Sequence, residues 1–330
     1  MGNVLLTNYC NRRCKYCFAQ EKITFEDGGK VDESRRFLSL EDLETIIAFF
    51  KRSACSQVGL LGGEPTLHPD FAAIIDRWVV EGFRVKLFSN GMMPDSALER
   101  LCRFDPEQVL TVINVNSPDD APPEEQARVA ATLGALKQRA ALGFNIYRPD
   151  FEGEFLLDLI ERYELDPHIR LGLTQPILEG RNLFIQREDY PEVGRRIVRL
   201  AEGAGPRGAF LGLDCGFTLC MFKPEDIGPM IYNGVSFKLT CNPIVDIGVD
   251  LSVWSCFPLS RWETTRLALF DTRQQIVRSY ENKLRPFRGV GSSADCLECR
   301  HKQGGNCVGG CIAHTLAAFK PAWRPKSQEA

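Results

Sequence analysis

Histidine is scarce in this chain: four in 330 residues, His68, His168, His301 and His314, scattered along the sequence. No cluster of histidines or paired carboxylates forms, so the sequence offers no clear acid–base site, and each histidine reads as structural or solvent-facing. Long apolar runs are also missing. None approaches the ~20 residues of a membrane span, and the chain enters VLL directly without a cleavable signal pattern, which excludes the membrane and makes the cytoplasm the expected location. Charge of one sign is lacking too, with a formal net charge of −3 and no long Lys or Arg block. That excludes a nucleic-acid footprint. What is abundant is cysteine, 13 residues in all. In a reducing compartment such a count argues for metal rather than disulfides.

With 44% hydrophobic and 25% charged residues, the chain can bury a full core and form one large domain plus a smaller one. Apolar strand candidates at 4–7, 58–61, 85–88, 110–115, 144–147 and 169–173 alternate with helical patterns, the signature of parallel βαβ units. Six repeats fit a barrel or part of one. Ser39 and Asp42 form a capping-box pattern ahead of Leu43, Ile46, Ile47 and Phe50 at helical spacing. Val129, Leu133 and Leu136 make another stripe, with Gly143 expected to stop that helix. Residues 21–37, charged and Gly-containing, read as a surface loop.

Cys10, Cys14 and Cys17 lie in LLTNYCNRRCKYCFA with the spacing C-x3-C-x2-C, directly after an apolar strand. Thiolates so spaced can hold three irons of a cubane and leave the fourth open to a small molecule. A structural zinc loop is the alternative, although such loops are usually paired C-x2-C units with four protein ligands. Parallel-sheet enzymes place ligands at the carboxyl ends of their strands. Gly62-Gly63-Glu64-Pro65-Thr66 follows the second strand candidate; Gly-Gly lets backbone approach a ligand, and Glu64 offers a carboxylate to a cationic amine. Ser89-Asn90-Gly91 ends the third, and Ile113-Asn114-Val115-Asn116-Ser117 the fourth. Alone, a structural turn is the better reading of the Gly-Gly segment, and a turn cap explains Asn90-Gly91 equally well.

The cluster loop, with Tyr16 as the aromatic residue before its last cysteine, resembles that of the radical S-adenosylmethionine (SAM) superfamily. The resemblance extends to the later strand ends in order: Gly62, Gly63, Glu64 and Pro65 to the segment that holds the amino group of SAM, Ser89 and Asn90 to a stretch near the adenosine, and Asn114 and Asn116 to a polar strand end that binds the ribose or methionyl carboxylate. It implies a SAM-binding 4Fe-4S cluster on Cys10, Cys14 and Cys17, reductive cleavage of SAM to a 5′-deoxyadenosyl radical, and a low-potential electron donor such as flavodoxin or ferredoxin. The cofactor carries the difficult step, so the protein needs an enclosed cavity that orients substrate and excludes water.

Eight further cysteines occupy the last third: Cys215, Cys220, Cys241, Cys256, Cys296, Cys299, Cys307 and Cys311. Their number suits two more fully ligated 4Fe-4S clusters. The final four resemble the core of SPASM auxiliary-cluster domains, and Cys241 and Cys256 its upstream pair, with Leu251 where that family typically has glycine. On this resemblance one cluster uses Cys241, Cys256 and Cys311, the other Cys296, Cys299 and Cys307, and Cys215 and Cys220 complete one each. A structural zinc on the last four, or a single auxiliary cluster, is the competing reading. Cys55 and Cys102 read as small buried residues.

The expected architecture is therefore α/β: a partial (β/α)6 TIM-like radical SAM barrel over residues 1–205, a small cysteine-rich auxiliary-cluster domain over 206–319, and a loosely packed tail over 320–330. SPASM-type relatives mostly cross-link or dehydrogenate peptide or protein side chains, and a minority act on small metabolites such as amino-sugar or tetrapyrrole precursors. Phe257, where sulfatase-maturing relatives carry an acidic residue, disfavours that subfamily. The first strand begins at Val4, so leader-peptide recognition would require a separate partner protein or another surface. A non-catalytic iron–sulfur electron carrier is the least favoured reading.

Overall fold

A computed structural model describes residues 2–20, 22–23, 36–178 and 181–318. Most of the loop expected at 21–37 and the tail at 320–330 lie outside the described residues. Eight strands run parallel in sequence order: β1 (Gly2–Leu5), β2 (Gln57–Leu61), β3 (Arg84–Ser89), β4 (Val109–Val115), β5 (Ala140–Ile146), β6 (His168–Leu173), β7 (Phe210–Leu213) and β8 (Val235–Phe237). Helices α1 (Leu40–Arg52), α2 (Phe71–Val80), α3 (Asp95–Leu101), α4 (Pro123–Leu136), α5 (Glu154–Tyr163), α6 (Tyr190–Ala204) and α7 (Pro224–Tyr232) form the crossovers.

The six expected strands are all present, and two more continue the sheet past residue 205. β7 and β8 are only four and three residues long. Runs that short carry too little apolar periodicity to stand out in sequence. Gly143 corrects another expectation: it lies within β5, while α4 ends at Leu136 and the chain turns through Lys137 at φ +50°. A Cβ at Gly143 would sit 2.5 Å from Asn114 Oδ1, so the glycine makes room for the amide of the neighbouring strand.

The helices pack by the stripes read from the sequence. Ser39 Oγ accepts from Asp42 N at 3.0 Å at the start of α1, whose Leu43, Ile46, Ile47 and Phe50 are buried. Burying these apolar faces is the main stabilisation of the outer layer, of order 1.5–3 kcal/mol for each large side chain. On the concave face the Arg170 guanidinium of β6 lies 5.7 Å from the ring of Phe88 on β3. Contact between strands three apart requires a sheet curved toward a barrel.

The C-terminal region closes back on the first strand. β9 (Asp246–Ile247) pairs parallel with β1, and β10 (Ser252–Trp254) and β11 (Thr264–Arg266) extend the same sheet antiparallel. Helices α8 (Arg273–Arg288), α9 (Arg300–Gln303) and α10 (Ile312–Ala318) follow among the described residues. Leu251, in the glycine position of the resemblance, adopts φ +59°, the left-handed conformation that glycine enters without steric penalty.

Candidate active site

The cysteine loop leaves the carboxyl end of β1 and is tied to the ends of β2 and β3. Gly63 N donates to Thr7 O and Glu64 N to Tyr9 O, each at 2.8 Å. A Cβ on Gly63 would lie 2.1 Å from Tyr9 O and 2.8 Å from Cys10 N, so only glycine allows this approach. From β3, Asn90 Nδ2 donates to Asn11 Oδ1 at 2.8 Å, and Asn11 Nδ2 to Met92 O at 2.7 Å. Asn90 Nδ2 also reaches Cys10 Sγ at 3.8 Å, so the amide that ties the loop to β3 touches one of its thiols.

Cys10, Cys14 and Cys17 are free thiols close enough for their charges to act on one another. Burial raises Cys10 to about 11 and Cys17 to about 12, and raises Cys14 as well. One buried and two half-buried soft donors that stay protonated until a cation replaces the proton suit an iron–sulfur site. Among the described residues no three His, Cys, Asp or Glu gather closely enough to hold a single metal ion. A cubane attaches each thiolate to a different iron, so three thiols on one loop leave a fourth iron open.

Glu64 is buried within a set of hydrogen bonds of its own. It is 0% exposed, and its carboxylate accepts from Thr66 N (3.2 Å), Thr66 Oγ1 (2.6 Å), Ser89 Oγ (2.9 Å) and Asn90 N (2.7 Å). Its carboxylate ties the end of β2 to the end of β3. Ser89 and Asn90 serve the same bracket, while Gly62, Gly63 and Pro65 shape the turn against the cysteine loop. Burial raises the Glu64 pKa, opposed by those donors.

Beside the loop opens a cleft of about 700 Å³, lined among others by Cys10, Cys14, Tyr16, Met92, Asn116 and Tyr147. Tyr16 and Tyr147 stack with centroids 4.5 Å apart. The Tyr16 hydroxyl donates to Asn116 Oδ1, and Asn116 Nδ2 to Glu125 Oε1 at 3.0 Å. Arg12 Nη2 pairs with Glu125 Oε1 at 2.7 Å, and Arg12 Nη1 donates to Asn114 O at 2.9 Å. Asn114 Oδ1 is buried against Gly143 of β5 with no hydrogen-bond partner among the described residues, and Asn114 does not line the cleft. Arg12, Glu125 and Tyr147 escaped the sequence reading. Glu125 follows Pro-Pro-Glu in the first turn of α4, where acidic residues commonly complement the helix dipole.

The C-terminal cysteines fall into two neighbourhoods. Cys215, two residues beyond β7, lies near Cys241, Cys256 and Cys311, whose charges act on one another. Arg187 Nη1 donates to Cys220 Sγ at 2.8 Å and feels the charges of both Cys220 and Cys296. Cys307 Sγ accepts from Gly309 N at 3.4 Å, and a Cβ on Gly309 would lie 3.4 Å from Cys296 Sγ. Cys299 stands one turn after Cys296, its N–H donating to Cys296 O. Cys55 and Cys102 pack against the core. His68 is buried between Leu38 O and Asp70 N, and burial pushes His314 down to about 4; neither lines the cleft. Among the described residues no helix is long and apolar enough to cross a membrane.

Residues 4–145 match the family model described as the Radical SAM superfamily. A GTP 3′,8-cyclase from Aeromonas hydrophila is 31% identical over 68% of this chain and 67% of its own length. Among solved structures, SuiB of Streptococcus suis bound to S-adenosylmethionine aligns with a TM-score of 0.65 at 15% identity, covering 99% of this chain and 77% of that one. AnSMEcpe with bound AdoMet aligns with a TM-score of 0.64 at 14% identity, covering 96% of this chain and 95% of that one. Both proteins have also been solved with peptides, SuiB with the precursor peptide SuiA and anSMEcpe with Cp18Cys.

Proposed function

This chain belongs to the radical SAM superfamily, and from that premise we propose that it is an oxidoreductase or maturase that cross-links or dehydrogenates a peptide or protein side chain. In this reading Cys10, Cys14 and Cys17 hold the SAM-binding 4Fe-4S cluster, and the cleft bounded by Tyr16, Asn116 and Tyr147 receives SAM. Gly62 and Gly63 bring backbone to the amino group, and the end of β4, through Asn116, faces the ribose or methionyl carboxylate. When bound, cluster and SAM supply a 5′-deoxyadenosyl radical that takes a hydrogen atom from an unactivated carbon.

The observation that carries the oxidative part is the grouping of the C-terminal thiols. Cys215, Cys241, Cys256 and Cys311 make one set, and Cys220, Cys296, Cys299 and Cys307 the other. Each set offers four soft donors, the complement of a fully ligated auxiliary cluster in a SPASM-like C-terminal region, whose first segments, β7 and β8, belong to the barrel sheet. Removing one hydrogen atom leaves a substrate radical that must lose one electron and one proton to become the oxidised product. An auxiliary cluster is the natural acceptor for that electron. A flavodoxin- or ferredoxin-type donor would supply the electron that cleaves SAM, and a separate protein would present any leader peptide. The reducing cytoplasm is the compartment that keeps such thiols available.

A second reading, oxidation or rearrangement of a small metabolite, is favoured by the 31% identity to a GTP 3′,8-cyclase. One assay separates the two. The reconstituted enzyme is incubated with SAM, dithionite and short peptides encoded beside its gene, and in parallel with GTP. The peptide reading expects loss of two hydrogen atoms from a peptide, matched by one 5′-deoxyadenosine per event. Turnover of GTP with every peptide unchanged would replace it with the metabolite reading.

A further inference from the structure

The cysteine loop is gripped on both flanks of Cys14 by a side chain that belongs to neither the loop nor a strand end. Glu125, in the first turn of α4, pairs through Oε1 with Arg12 at 2.7 Å and accepts from Asn116 Nδ2 at 3.0 Å. Asn116 Oδ1 in turn accepts the Tyr16 hydroxyl, and Arg12 also donates to Asn114 O. The chain of contacts therefore leaves the loop at Arg12, passes through Glu125 and Asn116, and returns to the loop at Tyr16. Arg12 and Tyr16 stand two residues before and two residues after Cys14.

Burial gives this circuit its force. The side chains of Arg12 and Glu125 are 5% and 11% exposed. A guanidinium removed from water needs a partner charge, so Arg12 stays inside only while Glu125 faces it. The carboxylate is favourably placed at the positive end of α4 and is fixed by the helix rather than by the loop. Tyr16 is held at one end by its hydroxyl and across its face by Tyr147, which leaves its ring no freedom to swing into the cleft.

We propose that Glu125 is a positioning residue for the cofactor seat: by holding Arg12 directly and Tyr16 through Asn116, it fixes both flanks of Cys14 and the aromatic wall of the cleft. The role is the same whichever substrate the enzyme takes, since it concerns only the loop and SAM. Binding sites tolerate displacements of only about half an ångström in such supporting groups, so a loosened ring is felt as weaker cofactor binding.

The test uses the anaerobically reconstituted full chain carrying Glu125→Gln, Tyr16→Phe, or both. Iron content, equilibrium affinity for SAM, and the change that SAM induces in the EPR spectrum of the reduced protein are measured. Each single variant is expected to keep its iron, to bind SAM about tenfold more weakly, as loss of an outer-shell partner typically does, and to show a diminished spectral change. Because both substitutions cut the same circuit, the double variant should be no weaker than the weaker single. Unaltered affinity and spectrum in both singles, or losses that multiply in the double, would overturn the proposal. Should Glu125→Gln lose iron, Glu125→Asp, which keeps the charge facing Arg12 but withdraws the carboxylate by one methylene, takes its place: weaker SAM binding with iron retained supports the circuit, and unchanged affinity refutes it.

Discussion

Asn3 of the first strand donates Nδ2 to Asp246 Oδ1 at 2.8 Å across 243 residues of sequence, joining the barrel to the cysteine-rich region through a pair hidden from solvent. Burial raises Asp246 to about 7 despite that donated hydrogen bond. Its ordinary value is 3.8. Between the two, the folded chain keeps a proton that the unfolded chain has released, so Asp246 makes stability fall as pH rises from about 4 to about 7 and level off above. The slope is ~1.4 kcal/mol per pH unit for one such group. Asp246→Asn should remove this component, so that urea unfolding of the native protein and the variant diverges across that window in the variant's favour. Parallel stability curves would show that the carboxyl is not buried as described.

Glu64 is expected to act on stability before it acts on the cofactor. Glu64→Gln keeps the shape but turns one acceptor oxygen into a donor facing Thr66 or Asn90, which should cost about 1–3 kcal/mol in urea unfolding. Lost SAM affinity with unchanged stability would instead assign the carboxylate to the amino group of SAM.

Gly63→Ala should leave the barrel folded and strip the cysteine loop of its cluster, because the added methyl has no place beside Tyr9 O. Circular dichroism and iron analysis together check this. Undiminished iron binding would mean that the loop yields easily and that the glycine is not required for close approach.

Leu251 bears a left-handed backbone at a position where the resemblance has glycine. The conformation costs a non-glycine residue ~1–2 kcal/mol, and Leu251 partly recovers this by packing on the core. Leu251→Gly is therefore expected to change stability by less than about 1 kcal/mol, unlike an ordinary buried leucine truncation at ~2–5 kcal/mol. A loss in that larger range would show that packing dominates.

Much of this molecule is legible in its sequence because its signals are local. The C-x3-C-x2-C spacing, the apolar runs of β1 to β6 and the Ser39 cap each act over a few residues. What stayed hidden depends on distant partners. β7 and β8 are too short to show a period, and Gly143 read as a helix stop because the Asn114 side chain it accommodates lies on another strand. Glu64 was placed correctly at a strand end, but its four donors come from Thr66, Ser89 and Asn90, so its direction could not be read from GGEP alone. Arg12 and Glu125, 113 positions apart, look like ordinary surface charges until the fold buries them together.

On the proposed function, three cysteines hold the reactive cluster and eight others hold two auxiliary ones. The direct measurement is iron per chain after anaerobic reconstitution, in the native protein and in a Cys10/Cys14/Cys17→Ala triple variant, with 5′-deoxyadenosine followed under dithionite. About twelve irons falling to about eight, with 5′-deoxyadenosine formed only by the native protein, is the expected result. Tightly bound zinc, little iron and no cleavage of SAM would contradict the account at its first step.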